Sequence, residues 1–358
     1  MIIPTGIGCD IGGFAGDAIP FARLLASVSG CLITHPNIMN AASLYYPDQR
    51  ILYVEGFALD KFSSGQIGLQ KVQKQRIGLL LDSGIDDELK NRHLQVVDAC
   101  RASLGLDISL VEITDCPLKI VLKKSSVGVS WGDIENPNIL IKCGKLLKEK
   151  GATAIAVVTR FPECFDQEGL DKYRLGKGVD TLSGTEAILS HLLVRELGLP
   201  CAHSPALNIL KLKPDLDPRA AAEEIGFTFL PSVLNGLSTA PDLVDTSKIN
   251  YENNCMKFEN LITINDVGAA VVPDSAIGGD SILACIEGGI PIITVKNPSV
   301  LNVTIDSLGY SYDELRKEGV DIICADNYLH AAGFIAAMRE GISLESLSRP
   351  IRSINNIH

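Results

Sequence analysis

The chain has 358 residues, of which 46% are hydrophobic and 21% charged. That much apolar side chain builds a large packed core, which excludes disorder, and the length suits about two domains. Lys plus Arg number 32 against 43 Asp plus Glu, so the net charge is −11; with no basic block to release counterions, nucleic acid is excluded as a partner.

The first residues lack the basic stretch and apolar run of a secretory signal. The uncharged segment from Leu24 to Pro47 holds His35, two prolines and two asparagines, which rules it out as a membrane span. A soluble cytoplasmic protein with no membrane partner is expected. Ten cysteines occur without a Cys-x-x-Cys pair, which disfavours zinc ribbons and thioredoxin-like sites. Most read as small core residues. Cys9, within a glycine-rich run, is the one with the setting of a nucleophile.

That run, Thr5 to Asp17, carries five glycines. Ile11 stands where a dinucleotide fingerprint needs its third glycine, and Phe14 follows Gly13 where a P-loop needs lysine. Neither motif is present. Gly12 and Gly13 still let backbone amides approach a ligand, with Asp10 and Asp17 beside them. Downstream, Leu32 to Thr34 leads into His35-Pro36-Asn37, a polar turn of the kind that carries catalytic side chains.

Residues 70 to 75, rich in Lys and Gln, read as a solvated connection. Arg76 to Asp82 reads as a buried strand, Asp86 caps a helix to about Ser103, and Leu106 to Ile113 gives the next strand. Ala152 to Val158 is another strand. Asp217-Pro218 starts a helix that Gly226 ends. A polar surface excursion is expected at about 237–260. Ala269 to Val272, Pro291 to Val295 and Val320 to Cys324 are further strands with helices between them. Apolar strands alternating with helices predict an α/β fold, with Rossmann-like, mostly parallel sheets covered by helices. The expected division is an N-terminal lobe over 1–120 and a C-terminal lobe over 121–358.

Three segments share an order of parts. The first runs from Gly16-Asp17 through a helix to Gly30 and then Cys31 to Asn37. The second runs from Gly184-Thr185-Glu186 to Gly198 and Cys201-Ala-His203-Ser-Pro205. The third runs from Gly279-Asp280-Ser281 to Gly289 and a strand ending at Lys296-Asn297. Any α/β protein repeats loop, helix, turn and strand, so common ancestry does not follow. A functional point does: ligands of such sheets bind beyond the strands' carboxyl ends, beside helix N-termini whose free amides favour anions.

Ser183-Gly-Thr-Glu186 fits a capping box. Arg160, Arg174 and Lys177 are candidate counter-charges for an anion. Ser275, Gly278, Gly279 and Ser281 follow a buried strand and open a helix, the strongest anion-binding context in the chain. The segment through Glu287 and Gly289 is similar to the donor-phosphate loop of nucleotide-sugar transferases and epimerases. Asp17, Glu186 and Asp280 would oppose a negative ligand unless a divalent cation, magnesium being the candidate, bridged them; no cofactor is otherwise indicated. His35 and His203 lie at the ends of strands, and with Asp10 they form a candidate acid–base set. His93 and His191 fall within helices, where core or surface roles are expected.

The run from Ile3 to Pro20, with Leu32-Ile-Thr-His-Pro-Asn37 and the stretch from Asp217 to Pro231, resembles the family termed domain of unknown function 3326, found in bacteria and plastids. The resemblance spans nearly the whole chain. It implies a soluble protein without an assigned reaction, and carries no site residues over. The residues themselves predict an enzyme of small-molecule metabolism that binds an anionic substrate, phosphorylated compounds included, with His35, His203, Asp10 and Cys9 as its reactive groups and homo-oligomers as a further expectation. Two alternatives stand beside it: a nucleotide-sugar transferase or epimerase, and a non-catalytic metabolite-binding protein.

Overall fold

In the computed structural model the described residues are 1–4, 18–39, 47–124, 130–162, 166–177, 182–208, 211–224, 229–249, 260–297, 302–351 and 353. The first elements are β1 (Ile2–Ile3), α1 (Ile19–Ser29), β2 (Leu32–Thr34), α2 (Pro36–Met39), β3 (Ile51–Tyr53) and α3 (Gly56–Ser63). Next come β4 (Ile67–Gln70), β5 (Arg76–Leu81), α4 (Asp87–Leu104), β6 (Asp107–Ile113), β7 (Ile120–Lys124), β8 (Ser130–Ile134), α5 (Pro137–Glu149) and β9 (Ala154–Arg160). They lead to α6 (Gln167–Arg174), α7 (Ser183–Leu197), β10 (Cys201–Ala206), α8 (Pro218–Glu224), α9 (Phe229–Ser238) and β11 (Asp242–Asp245). The last are β12 (Leu261–Ile262), β13 (Ala270–Pro273), α10 (Asp280–Glu287), β14 (Ile292–Val295), α11 (Tyr312–Lys317), β15 (Ile322–Ala325) and α12 (Tyr328–Arg339).

Local chemistry sets several of these boundaries. The Asp86 carboxylate accepts from the Leu89 amide at 2.9 Å and starts α4, and Gly105 ends it in the left-handed region. In the three look-alike segments a left-handed glycine, Gly30, Gly198 or Gly289, turns the chain from helix to strand. The expected helix start at Asp217 and Pro218 is also present, and its expected end at Gly226 lies outside the described residues.

Ten of the described strands form two parallel sheets, while β11-β4-β12 and β7-β8 form small antiparallel ones. One parallel sheet has the order β15-β14-β13-β1-β2-β3, the other β10-β9-β5-β6. In the six-stranded sheet the chain winds outward from the centre twice, through β1, β2 and β3 and then through β13, β14 and β15. Leu25 of α1 lies in one core and Ile282 of α10 in the other, so the two crossover helices cover opposite faces. This is the doubly wound arrangement, and its winding direction reverses between β1 and β13, where Ile2 pairs with Ala270.

Strand alternation sends Ile3, Leu32 and Val271 to one core together with Leu79 and Ala156 of the second sheet. Ile2, Ile33 and Val272 enter the other core with Leu80 and Val157. Both cores therefore run through both sheets. The expected division near residue 120 does not follow the sheets, because β1–β3 share theirs with β13–β15 while β5, β6, β9 and β10 form an insertion. The reason is long-range pairing across more than two hundred residues, which a search for local composition breaks does not detect.

Two smaller readings are corrected as well. Gln75 is buried, with its amide donating to the Ala240 carbonyl and the Asp242 carboxylate at 2.8 Å each, so 70–75 is anchored at its end. Within 237–260, β11 pairs antiparallel with β4 and is not a free excursion, whereas 250–259 lie outside the described residues. Among the described residues no helix is long and apolar enough to cross a membrane.

Candidate active site

At the carboxyl end of β2 the chain passes from Thr34 to His35, and at that of β3 it passes through Val54 to Glu55. The two ends are tied together. Thr34 Oγ1 donates to the Ile3 carbonyl at 2.9 Å, and the Val54 amide donates to the Thr34 carbonyl at 3.0 Å. Glu55 then caps α3: its Oε2 accepts from the Phe57 amide at 2.9 Å and the Ala58 amide at 3.4 Å.

The other carboxylate oxygen faces α7. Glu55 Oε1 lies 2.9 Å from His191 Nε2 and 3.4 Å from Ser190 Oγ. Ser190 Oγ is also 3.0 Å from His203 Nδ1, on β10, and His203 Nε2 is 3.5 Å from Glu186 Oε2. Glu186 and Ser190 are one helical turn apart on α7, so both face the strand that carries His203. A continuous polar chain therefore runs from Glu186 through His203, Ser190 and Glu55 to His191. Nearly all of it is buried; the His191 side chain, 40% exposed, is where it reaches solvent.

His35 enters the same space. Its Nδ1 accepts the Asn37 amide at 3.1 Å. A Cβ added to Gly56 would lie 2.8 Å from His191 Nε2 and 3.1 Å from His35 Nε2. Gly56 is not in a left-handed conformation, so its missing side chain serves space: two imidazole nitrogens converge over its Cα.

The two rings are tuned in opposite directions. Burial holds His35 down at about 4, outweighing the Glu55 charge, while the neighbouring His191 and His203 push the same way as burial. Burial also pulls His191 down, but the hydrogen bond and charge of Glu55, with Asp60 behind it, more than offset this and leave it raised. Asp60 on α3 is itself raised, mainly by burial, although Ser281 Oγ donates to it at 2.5 Å.

The other sequence-derived candidates are dispersed. Cys9, Asp10, Gly12, Gly13 and Asp17 lie outside the described residues. His203, expected at the end of a strand, sits inside β10, which continues through Pro205 to Ala206. The capping box expected at Ser183 and Glu186 is displaced: Leu182 is the N-cap, and Glu186 turns to His203. The short motif matches the pattern, but α7 begins one residue earlier than the box requires. Gly184 and Thr185 occupy its first turn, and Thr185 Oγ1 is buried without a hydrogen-bond partner among the described residues.

Arg174 is a structural cation. Its guanidinium grips both Glu224 oxygens at 2.7 and 3.0 Å and donates to the Lys211 carbonyl at 2.7 Å. Lys177 is exposed just beyond α6. Arg160, at the carboxyl end of β9, donates to the Ala206 carbonyl at 3.0 Å. Ser275, whose buried Oγ has no partner among the described residues, and Gly278 and Gly279 connect β13 to α10, with Asp280 and Ser281 as the helix's first residues. Asn297 follows β14 and lies 3.5 Å from the Tyr328 hydroxyl.

Glu55, Ser190 and His191 were missed by motif reading. Signals for them exist. Ser190 and His191 interrupt the apolar run from Ala187 to Val194, and Glu55-Gly56 follows a short buried strand as an N-cap does. Among the described residues no three His, Cys, Asp or Glu side chains are arranged to hold a metal ion. With Nδ1 occupied as an acceptor of the Asn37 amide, the neutral His35 ring carries its proton on Nε2, the atom near Gly56 and His191.

A depression of about 480 Å³ lies elsewhere, at the amino ends of β9 and β10, lined by Thr153, Pro200, Asp242 and Lys248. It has no comparable convergence of acid–base groups.

The sequence matches the profile of DUF3326, described as a protein of unknown function, over residues 1–348. An uncharacterized lipoprotein from Synechococcus sp. is 44% identical over 359 residues, covering 100% of this chain and 95% of that protein. A nucleotide-free structure of acetone carboxylase, solved for the mechanism of ATP-dependent acetone carboxylation, aligns with 54% of this chain and 25% of its own. Its identity is 11% and its TM-score 0.19, a likeness too slight to carry a structural argument.

Proposed function

The chain belongs to the DUF3326 family of proteins of unknown function, and we propose that it is an enzyme of small-molecule metabolism working by general acid–base catalysis on an anionic substrate. The observation that carries this reading is the Glu55–His191 pair. With Nε2 donating to the carboxylate at 2.9 Å, the neutral ring presents Nδ1 as a base at the solvent-facing end of a buried polar chain. Position supports it as well, since ligands of doubly wound sheets bind beyond the strands' carboxyl ends.

Charge bounds the substrate. Arg160 at the carboxyl end of β9 and the amides at the start of α10 favour an anion. Glu55, Asp60, Glu186 and Asp280 oppose a multiply charged one, so a single carboxylate suits the site better than a phosphate, unless magnesium bridges Glu186 or Asp280 to it.

Thermal unfolding against small carboxylates and phosphorylated metabolites, each with magnesium or with chelator, tests the reading. A ligand at about 100 times its dissociation constant adds roughly 2.7 kcal/mol, several degrees for a chain of this size. At least one carboxylate is expected to give that shift, and His35→Ala with His203→Ala to remove it. No shift across the panel would sink the proposal. Binding with no turnover would favour a metabolite-binding protein.

The strand order favours one second reading, a nucleotide-sugar transferase or epimerase with its ligand at the reversal between β1 and β13. Protection of the 275–281 amides from hydrogen exchange by a nucleoside diphosphate would distinguish it.

A further inference from the structure

We propose that Ser190 is a positioning residue for the His191 base, acting through Glu55, and that His203 sets where the Ser190 hydroxyl proton points: at His203 while that ring is neutral, at Glu55 once the ring is a cation. This rests on the acid–base reading above and adds a control on its base.

The contacts of one carboxylate and one hydroxyl carry the inference. Glu55 Oε2 is engaged by the Phe57 and Ala58 amides, so Oε1 is the oxygen that meets His191 Nε2 at 2.9 Å and Ser190 Oγ at 3.4 Å. Ser190 Oγ owns a single proton and has three acceptors in reach: Glu55 Oε1, His203 Nδ1 at 3.0 Å and the Ala187 carbonyl at 3.2 Å. Glu186 Oε2 lies 3.5 Å from His203 Nε2 and favours the neutral tautomer with its proton there, which leaves Nδ1 to accept from Ser190. Glu55, Ser190 and His203 are all buried, so bulk water does not share that proton.

A second proton on His203 reverses the chain. It comes from solvent and lands on Nδ1, which then donates to Ser190 Oγ. The hydroxyl keeps its own proton and turns it to Glu55 Oε1. That oxygen now serves Ser190 and His191 together, so its charge holds the His191 proton less firmly. His191 is therefore the stronger base while His203 is neutral.

The surrounding groups leave this link distinguishable. Burial holds His35 down at about 4, and it pushes the Tyr53 hydroxyl and the Cys201 thiol upward, so these stay uncharged through most of the histidine range. Asp60 of α3, raised mainly by burial, is a further charge near His191, with Asp280 of α10 behind it. On the other elements against α7, Asp133 of β8 pairs with Lys123, and Lys148 of α5 reaches the Leu197 carbonyl at the helix's far end.

Nitrogen NMR of the full chain, titrated through the histidine range, reads both rings without a ligand. Neutral His203 should carry its proton on Nε2. The His191 nitrogens should show their own titration and a second inflection at the pH where the His203 nitrogens titrate. Ser190→Ala keeps both rings and should remove about half or more of that second inflection, the rest being through-space repulsion. Ser190→Thr, which keeps a hydroxyl, should restore it.

A neutral His203 protonated on Nδ1 would overturn the proposal, and that reading needs no variant to fold. So would a His203 that keeps one protonation state throughout, or a single inflection for His191, as expected of a hydroxyl held by Ala187. A second inflection unchanged in Ser190→Ala, or not restored in a stably folded Ser190→Thr, would do the same. Each of these leaves His191 a base set by Glu55 alone. A failed carboxylate panel would instead sink the acid–base reading and leave the coupled titration standing.

Discussion

Arg174 and Glu55 are both charged side chains drawn beneath the surface, and their neighbours treat them differently. Arg174 spends its guanidinium on one carboxylate and one carbonyl, all within the satellite of α6 and α8. Glu55 is met by two amides, a hydroxyl and an imidazole, and that imidazole opens onto solvent with its second nitrogen uncommitted among the described residues. A closed pair fixes a fold, whereas a charge that ends in an open titratable ring can do chemistry. Burial alone separates neither from the other; the count of satisfied donors and acceptors does.

The comparison can be broken by substitution. Arg174→Ala leaves Glu224 without its partner, and breaking such a pair costs about 3–5 kcal/mol. Denaturant unfolding should show that loss, while any ligand found for the cluster still shifts the melting point in the surviving folded protein. Loss of ligand binding at retained stability would reverse the assignment of the two sites.

Gly56→Ala should do the opposite. The backbone there accepts alanine, but the new methyl meets both imidazole Nε2 atoms, so overpacking of about 1–3 kcal/mol is expected together with loss of ligand response. Calorimetry of the variant with and without ligand separates the two effects. An intact ligand shift would show that the space over Gly56 is not part of the site.

The smallest signal is one of slope. His35 falls to about 4 in the fold, from about 6.5 unfolded, so the unfolded chain binds the extra proton between those values. Its contribution to stability is intact above pH 6.5 and is lost as pH falls towards 4. His191, raised in the fold, has the opposite sign: its contribution is present below the ordinary histidine value and fades as pH rises through its own. Unfolding free energies measured from pH 4 to 7 should lose part of their upward slope in His35→Gln. An unchanged slope would mean that His35 titrates normally.

Much of the fold was legible in the sequence, because apolar strands and capped helices are local signals. Asp86 and Pro218 mark boundaries that the structure keeps. The pairing of β1 with β13 was not legible, since nothing near Ile2 refers to Ala270. The site was half legible. His35 and His203 stood out beside prolines, and Glu186 was noticed in the wrong role. His191 was set aside because a histidine within a helix is ordinarily structural, and its role depends on Glu55, which comes from a different strand end. Convergence in space leaves no fixed spacing to read.

The placement of β1 also bears on how the chain is made. Ile2 sits between β2 and β13, yet Ala270 leaves the ribosome long after it. The segment from β5 to β10 can assemble its own parallel sheet during that interval. Until then the first three strands lack the partner that β13 gives to β1. Synthesis therefore divides maturation into an early insertion and a late frame, and His35 and Glu55, both attached to the frame, gain their final setting only when translation is nearly complete.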